Sequence, residues 1–392
     1  MPLRDDVEQV IRFWDAHERA RGARPIIDYD FAPTTADIIP APSRLDVYDR
    51  FTTLLAEAQA QGADRIAEVV TAHLAYLRSV LGERPPLEQY IRETQGCSAA
   101  GWPADYITAI GDRARAAIEG QGVRWGPRTD EELIQVEKPI DLNDARDRVL
   151  DVAAEAEPTF RALTGSTSTY DVTIEIHDVD DYWAYWVDGA GNNVRLRFNT
   201  RQATFTEVRL KHFVLHEILG HGLQCATYAD IAAATDVDWI RLSSVNLPYQ
   251  VLLEGLAQAI PLFVAPDDAP LITRVRIEHY QQLVRAELHI MINTGTPVAE
   301  CAAHARRRIP WWTSNDIANE LTDRSTDPFL RSYLWAYPAG IDWFAALADT
   351  ANQATIGRVL RGTFERPLSP TDLAALWPDG PVIGGTGRVL PN

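Results

Sequence analysis

The sequence predicts a mainly α fold with a small antiparallel β-sheet beside a metal-binding helix. Three observations predict it. Apolar residues recur at helical spacing through most of the chain, as Val7, Val10, Ile11 and Trp14 do near its start. One stretch, Asp171 to Thr200, switches to period-two alternation around a Gly/Asn-rich turn. That stretch leads into an apolar helix holding His216, Glu217 and His221 in the run HEILGH.

Taken in order, residues 5–22 read as an amphipathic helix. Pro25 to Pro42 is broken by prolines and reads as an ordered loop across the surface. Residues 43–81 form two helical runs, through Leu45, Tyr48, Phe51, Leu54 and Leu55, then Ile66, Val69, Val70, Leu74 and Leu77, with a turn at Gly62. Pro85-Pro86 opens another helix, residues 103–120 a further one, and Asp141 to Leu163 the next, with Asp141 or Asn143 as its N-cap. Residues 1–163 thus form an N-terminal helical region without evident chemistry, where His17 and His73 read as structural. Residues 164–392 form the candidate catalytic region, expected to pack with the first as one unit. Its strands are Asp171–His177, Tyr182–Val187 and Val194–Thr200, with the turn at Gly189 to Asn193. Helices follow at 251–263, 270–294, 298–308, 313–323, 341–350 and 354–361, and Ser369 opens a last one. The Gly/Pro-rich tail from Pro378 is expected to run extended over the surface.

A chain of 392 residues, 46% hydrophobic, has ample length for a large core. A net charge of −18 argues against nucleic acid and against an anionic membrane surface as partners. Lys138 and Lys211 are the only lysines, so arginine carries nearly all the positive charge. Cys97, Cys225 and Cys301 are odd in number and widely spaced, which is no disulfide framework. Cys225 reads as a small buried thiol rather than a ligand. The first residues carry charge where a signal peptide needs an apolar run, and no segment approaches a membrane span. A cytoplasmic location is the expectation.

The chemistry lies in HEILGH. Neutral imidazoles bind Zn²⁺ well, and a glutamate beside the first can take a proton from water that the metal acidifies. The usual spacing places the histidines at i and i+4. Here they stand at i and i+5, about 140° apart on a regular helix. One wide π-type turn brings both rings to one metal, and Gly220 eases it. A catalytic zinc wants a third protein ligand. Glu254 is the candidate, as the only acid in the apolar helix from Val251 to Phe263, where a lone carboxylate is costly unless paired or bound to metal. The strand Val194–Thr200 is expected as an edge that an extended substrate joins antiparallel, with Asn199 touching substrate backbone. A plain structural hairpin is the other reading of Asn199.

These motifs together resemble the bacterial domain-of-unknown-function 885 family of predicted zinc peptidases. Members carry an HEAIPGHHLQ-type helix where this chain has HEILGHGLQ. They carry an Asn-Thr pair ending the preceding strand, here Asn199-Thr200, and an EGWA-type motif, here Glu254-Gly255-Leu256-Ala257. A VDTG-type helix end follows, here Ile292-Asn293-Thr294-Gly295, and then an R-Y-x3-P-G-Q-type stretch, here Arg331 to Gly340. The resemblance covers residues 194–345. This chain departs from it in a metal helix one residue shorter, in Asn293 for aspartate, and in Thr296-Pro297 where a histidine often stands. HEILGH also resembles the HELLGH of dipeptidyl peptidase III, whose E-E-x-x-A-D type motif is absent after His221.

The resemblance implies a helical zincin-like metallohydrolase, gluzincin-like in its ligands. His216, His221 and Glu254 would hold Zn²⁺ and Glu217 would serve as general base. It also implies a tyrosine-rich segment near the pocket, with Tyr333 or Tyr337 as oxyanion donor, Arg331 for a substrate carboxylate, and His289 as the next residue in line. The expected activity is cleavage of a peptide or small amide. One alternative is a pathway enzyme reusing the scaffold on a non-peptide substrate. The other is a non-catalytic helical metal-binding module, which would have no use for Glu217.

Overall fold

The computed structural model describes residues 2–180 and 184–387. The N-terminal helices Pro2–Ala20, Arg44–Gln61 and Asp64–Val80 pack as a layer. Val7, Ile11, Trp14, Phe51 and Val70 fill it, and Trp14 meets Phe51 edge-on. Ser43 caps the second helix, its Oγ accepting the Asp46 N–H at 3.2 Å. Gly62, at φ 64°, ends that helix in the left-handed conformation, where an L side chain would be strained. His17 and His73 are structural: the first meets the Ala41 carbonyl at 2.7 Å and the second stacks on Phe51. The same apolar cluster takes in Leu242, Leu247, Tyr249, Phe329 and Leu330, so its core runs across residue 163.

The proline-broken segment is not simply laid over the surface. Within it Tyr29–Asp30 forms β1, and the aromatics flanking Asp30 are why it goes inside. Tyr29 and Phe31 are 3% and 2% exposed, and Phe31 also packs edge-on against Tyr228. The other strands are β2 (Pro139–Ile140), β3 (Asp171–His177), β4 (Tyr185–Ala190), β5 (Asn193–Asn199), β6 (Phe205–Thr206) and β7 (Leu242–Ser243). The start of the strand expected from Tyr182 falls partly outside the described residues. A helix at Thr129–Glu137, unread from the sequence, precedes β2, which pairs with β6. Helix Leu142–Thr164 follows, capped by Asp141.

The main sheet has the order β3-β5-β4-β1-β7. It is mixed, and this corrects the expected antiparallel sheet: β4 and β5 form an antiparallel hairpin, but β3 runs parallel to β5 from Asp171↔Asn193 to His177↔Asn199. The strand expected as the edge is therefore internal, paired along both sides. Alternation predicts which side chains of β5 face the core, and Val194, Leu196 and Phe198 do, but it carries no information about neighbours.

The apolar face of the sheet rests on one long helical rod made of Glu207–Val214, a π-helix at Leu215–Leu223, and Gln224–Ala234. Against the rod lies helix Tyr249–Val264, backed by Ala269–Asn293 and Ala336–Thr350. Two glycine contacts set this packing. A Cβ at Gly220 would lie 2.7 Å from that of Ala257, and one at Gly255 would lie 2.4 Å from the Gly340 Cα. Both sites need bare backbone for the helices to meet. Of the C-terminal tail, Ile383 is buried, and its carbonyl and that of Gly384 accept the N–H groups of Ser98 and Gly101, so this part is docked rather than lying over the surface.

Candidate metal centre

The π-helix widens the turn that the i, i+5 spacing calls for. It puts His216 and His221 on one face, with ring planes 83° apart and Nε2 atoms 3.1 Å apart. Gly220 lets the neighbouring helix approach through Ala257, and that helix delivers Glu254. Its Oε2 stands 3.5 Å from the His216 Nε2 and 3.8 Å from the His221 Nε2. Oε1 accepts a 2.5 Å hydrogen bond from the Tyr333 hydroxyl, which is 2.8 Å from that of Tyr337. Oε2 is buried and has no hydrogen-bond partner among the described residues.

A tetrahedral zinc with bonds of about 2.0–2.2 Å holds its ligand atoms about 3.3–3.5 Å apart. The 3.1, 3.5 and 3.8 Å separations here bracket that spacing. The orphaned Oε2 fits it too, since a buried carboxylate oxygen without a donor is costly unless a cation takes its charge. Glu217 follows the first histidine with a carboxylate oxygen within 4.8 Å of the ligand nitrogens of His216 and His221. It is half-buried, and burial pushes its carboxyl above the usual carboxylate range, while the two histidines oppose the shift. Burial would likewise raise Glu254, but His221 and His216 outweigh it and hold that carboxyl far below its usual range.

The cluster opens into a cavity of about 580 Å³, lined also by Tyr185, Trp186, Val187, Tyr333 and Tyr337. Six sequence-read residues thus converge on one space: His216, Glu217, His221 and Glu254, with the pair Tyr333 and Tyr337 beyond Glu254. Three others stand apart from it. Asn199 is fully buried at the end of β5, its Oδ1 accepting the Arg201 N–H at 3.2 Å. His289 is fully buried against Trp335. Arg331 donates to the Asn293 Oδ1 at 2.6 Å and to the Pro85 carbonyl at 2.8 Å, with its guanidinium over the Tyr90 ring. None of the three is among the residues lining the cavity. The Asn293 and Arg331 motifs are therefore joined to each other, away from the His216–Glu217–His221 cluster.

His212 and Asp28 are among the lining residues that carried no assigned role in the sequence. His212 sits one turn before His216, its Nε2 3.3 Å from the Gln258 carbonyl. Burial and the His216 charge push it below the usual histidine range. Asp28 comes from the segment before β1. Its presence had no sequence signal, because nothing local ties a residue of a proline-broken loop to a helix some two hundred positions on.

No family model and no curated protein sequence matches the chain, so the likeness to the 885 family rests on the motifs alone. Among solved structures, a putative lipoprotein from Colwellia psychrerythraea is similar with a TM-score of 0.54 at 14% identity, over 84% of this chain. This is a likeness of fold alone, and the chain spans 59% of that protein's length. An M32 carboxypeptidase from Deinococcus radiodurans R1 aligns over 98% of this chain and 95% of its own, at 12% identity and a TM-score of 0.31. That likeness is too loose to bear on function. No helix among the described residues is long and apolar enough to cross a membrane.

Proposed function

We propose that the protein is a zinc-dependent hydrolase that cleaves peptide or amide bonds. The observation that carries this is the orphaned Glu254 Oε2 facing two histidine Nε2 atoms, with Glu217 beside them. His216, His221 and Glu254 hold the metal. Zinc in that position supplies Lewis-acid polarisation of the scissile carbonyl and acidifies water.

The chain's own residues do the rest. Glu217 takes a proton from the attacking water and passes it to the leaving amine; its raised carboxyl suits a group that must both accept and release a proton. Tyr333 orients Glu254 through Oε1 and leaves Oε2 for the metal. Tyr337, whose hydroxyl donates to that of Tyr333 in the resting site, turns its proton to the oxyanion as the carbonyl becomes tetrahedral. The cavity walls exclude water around a bound chain of a few residues.

Elemental analysis of the purified protein and its variants tests the assignment. About one zinc per chain is expected in the wild type and in Glu217→Gln, and little in His216→Ala, His221→Ala or Glu254→Ala. Glu217→Gln should keep its metal while turnover of a peptide library falls by about 10²- to 10⁴-fold. Full zinc in all three ligand variants, or wild-type turnover in Glu217→Gln, rejects the reading.

A further inference from the structure

Backbone pairing shows where an extended substrate can lie. The Asn199 N–H donates to the Ala184 carbonyl at 2.9 Å, on the β5 side of β4. Backbone groups alternate along an antiparallel strand, so residues 184, 186 and 188 turn toward β5 and residues 185, 187 and 189 turn away. Gly189 agrees: its N–H donates to the Asp28 carbonyl at 3.3 Å, on the opposite side. β1 pairs with β4 only at Gly189 and Ala190. No strand among the described residues covers Tyr185 and Val187 on that side, and both line the cavity holding His216, Glu217 and His221. A chain laid along this edge can pair with Tyr185 and Val187 and is then stopped by β1.

Asp28 stands at the stop. It immediately precedes β1 and lines the same cavity. No arginine, lysine or histidine among the described residues forms an ion pair with it. It also borders a neighbouring cavity of about 750 Å³, whose Arg12, Arg19, Arg24, Arg195 and Arg197 are each already bound to an aspartate, though the charge of Arg197 still reaches Asp28. Burial, with the charges of Asp188 and Glu254 close by, pushes its carboxyl up to about 8. This is an acid between two cavities, at the point where β1 takes over the β4 edge, and outside any ion pair among the described residues.

We propose that Asp28 is a specificity residue that pairs with a primary ammonium or guanidinium on the substrate, close to the scissile bond. The inference rests on the hydrolase reading above. The cation has two possible sources: the amino terminus of a chain halted at β1, or a lysine or arginine side chain. The first would make the site one that trims short peptides from the amino end.

The test is calorimetric binding to the zinc-loaded Glu217→Gln protein, with and without Asp28→Asn. Three probes are used: the tetrapeptide Ala-Ala-Phe-Ala, its N-acetylated form, and an N-acetylated form with lysine first. A charge-assisted hydrogen bond predicts that removing the ammonium weakens binding about 10- to 100-fold. If the terminus is the cation, only the free peptide binds tightly; if the side chain is, only the capped lysine peptide does. Asp28→Asn should bring the ratio between charged and neutral probes close to one. Equal binding of all three probes to the parent protein, binding of none, or a preference that survives Asp28→Asn overturns the proposal. Zinc content of the same samples keeps the two readings apart. An Asp28-dependent preference in protein that takes up no zinc sinks the hydrolase reading alone, and zinc-loaded protein blind to the ammonium sinks the Asp28 proposal alone.

Discussion

The Tyr333 hydroxyl donates to Oε1 of Glu254 at 2.5 Å, and the other carboxylate oxygen faces both histidines. A carboxylate held this way has one oxygen saturated by protein and one left for a cation. Partners that orient a ligand are commonly worth a factor of 10 to 100 in metal affinity. Tyr333→Phe should therefore weaken zinc binding by roughly that factor in a chelator competition. Unchanged affinity would mean that packing alone orients Glu254.

Tyr337→Phe should behave differently. Its hydroxyl is 2.8 Å from that of Tyr333 and is one step removed from Glu254. Zinc content should hold, while kcat falls roughly 10- to 1000-fold and KM barely moves, because the oxyanion bond forms mainly in the transition state. A kcat equal to the wild type's removes Tyr337 from the chemistry.

Gly220 and Gly222 flank the second histidine, yet their surroundings differ. A Cβ at Gly220 meets Ala257 at 2.7 Å, whereas one at Gly222 meets Val194 at an ordinary 3.4 Å. Gly220→Ala should cost about 1–3 kcal/mol through overpacking and should weaken zinc binding, since it moves His221 away from Glu254. Gly222→Ala should be neutral or stabilising by up to about 1 kcal/mol, through helix propensity. Thermal unfolding and zinc titration of the pair check this, and equal effects at both sites would reject the close-approach argument.

Arg331 is placed to hold the fold together. It joins Asn293, the Pro85 carbonyl and the Tyr90 ring across three separate parts of the chain. Arg331→Ala should lower stability by about 2–4 kcal/mol, from lost charge-assisted bonds and ring stacking, and leave Asn293 with an unpaired oxygen. At a temperature where the variant is folded, zinc content and kcat/KM should match the wild type. A selective loss of kcat/KM at full stability would return Arg331 to the substrate.

Asp28 predicts a pH effect on stability. Its carboxyl is raised in the folded state from 3.8 to about 8, so the folded protein binds the proton more tightly than the unfolded chain does. That contribution is complete below about pH 4 and is lost as pH rises toward 8. Asp28→Asn removes it. In metal-free protein the variant should gain Tm relative to the wild type at pH 8, by about 2–5 °C, and gain little at pH 5. An equal shift at both pH values would show that Asp28 is ionised and paired throughout.

The candidate site was largely legible because its signals are local or thermodynamic. Histidines five apart can share a metal only on a widened turn, and the chain forms a π-helix over Leu215–Leu223. A lone carboxylate in an apolar helix demands a partner, and Glu254 is buried facing the two rings. Helix boundaries were legible from caps, as at Gly62 and Asp141. What could not be read is partnership at a distance. Alternation says which face of β5 is buried but not which strands flank it, so the open strand edge lies along Tyr185–Val187 rather than Val194–Thr200. Arg331 finds its acceptors 38 and 246 positions away, and no local pattern distinguishes such a residue from one awaiting substrate. β1 is two residues long, too short for any periodicity; only its pairing with β4 and β7 brings Asp28 to the cavity. The sequence by itself determined the helices, the wide turn and the grouping of His216, His221 and Glu254, because these follow from backbone geometry and the cost of burying charge. Tertiary structure alone decided which polar groups point into the cavity and which are consumed in holding the fold, because that depends on partners brought together only when the chain packs.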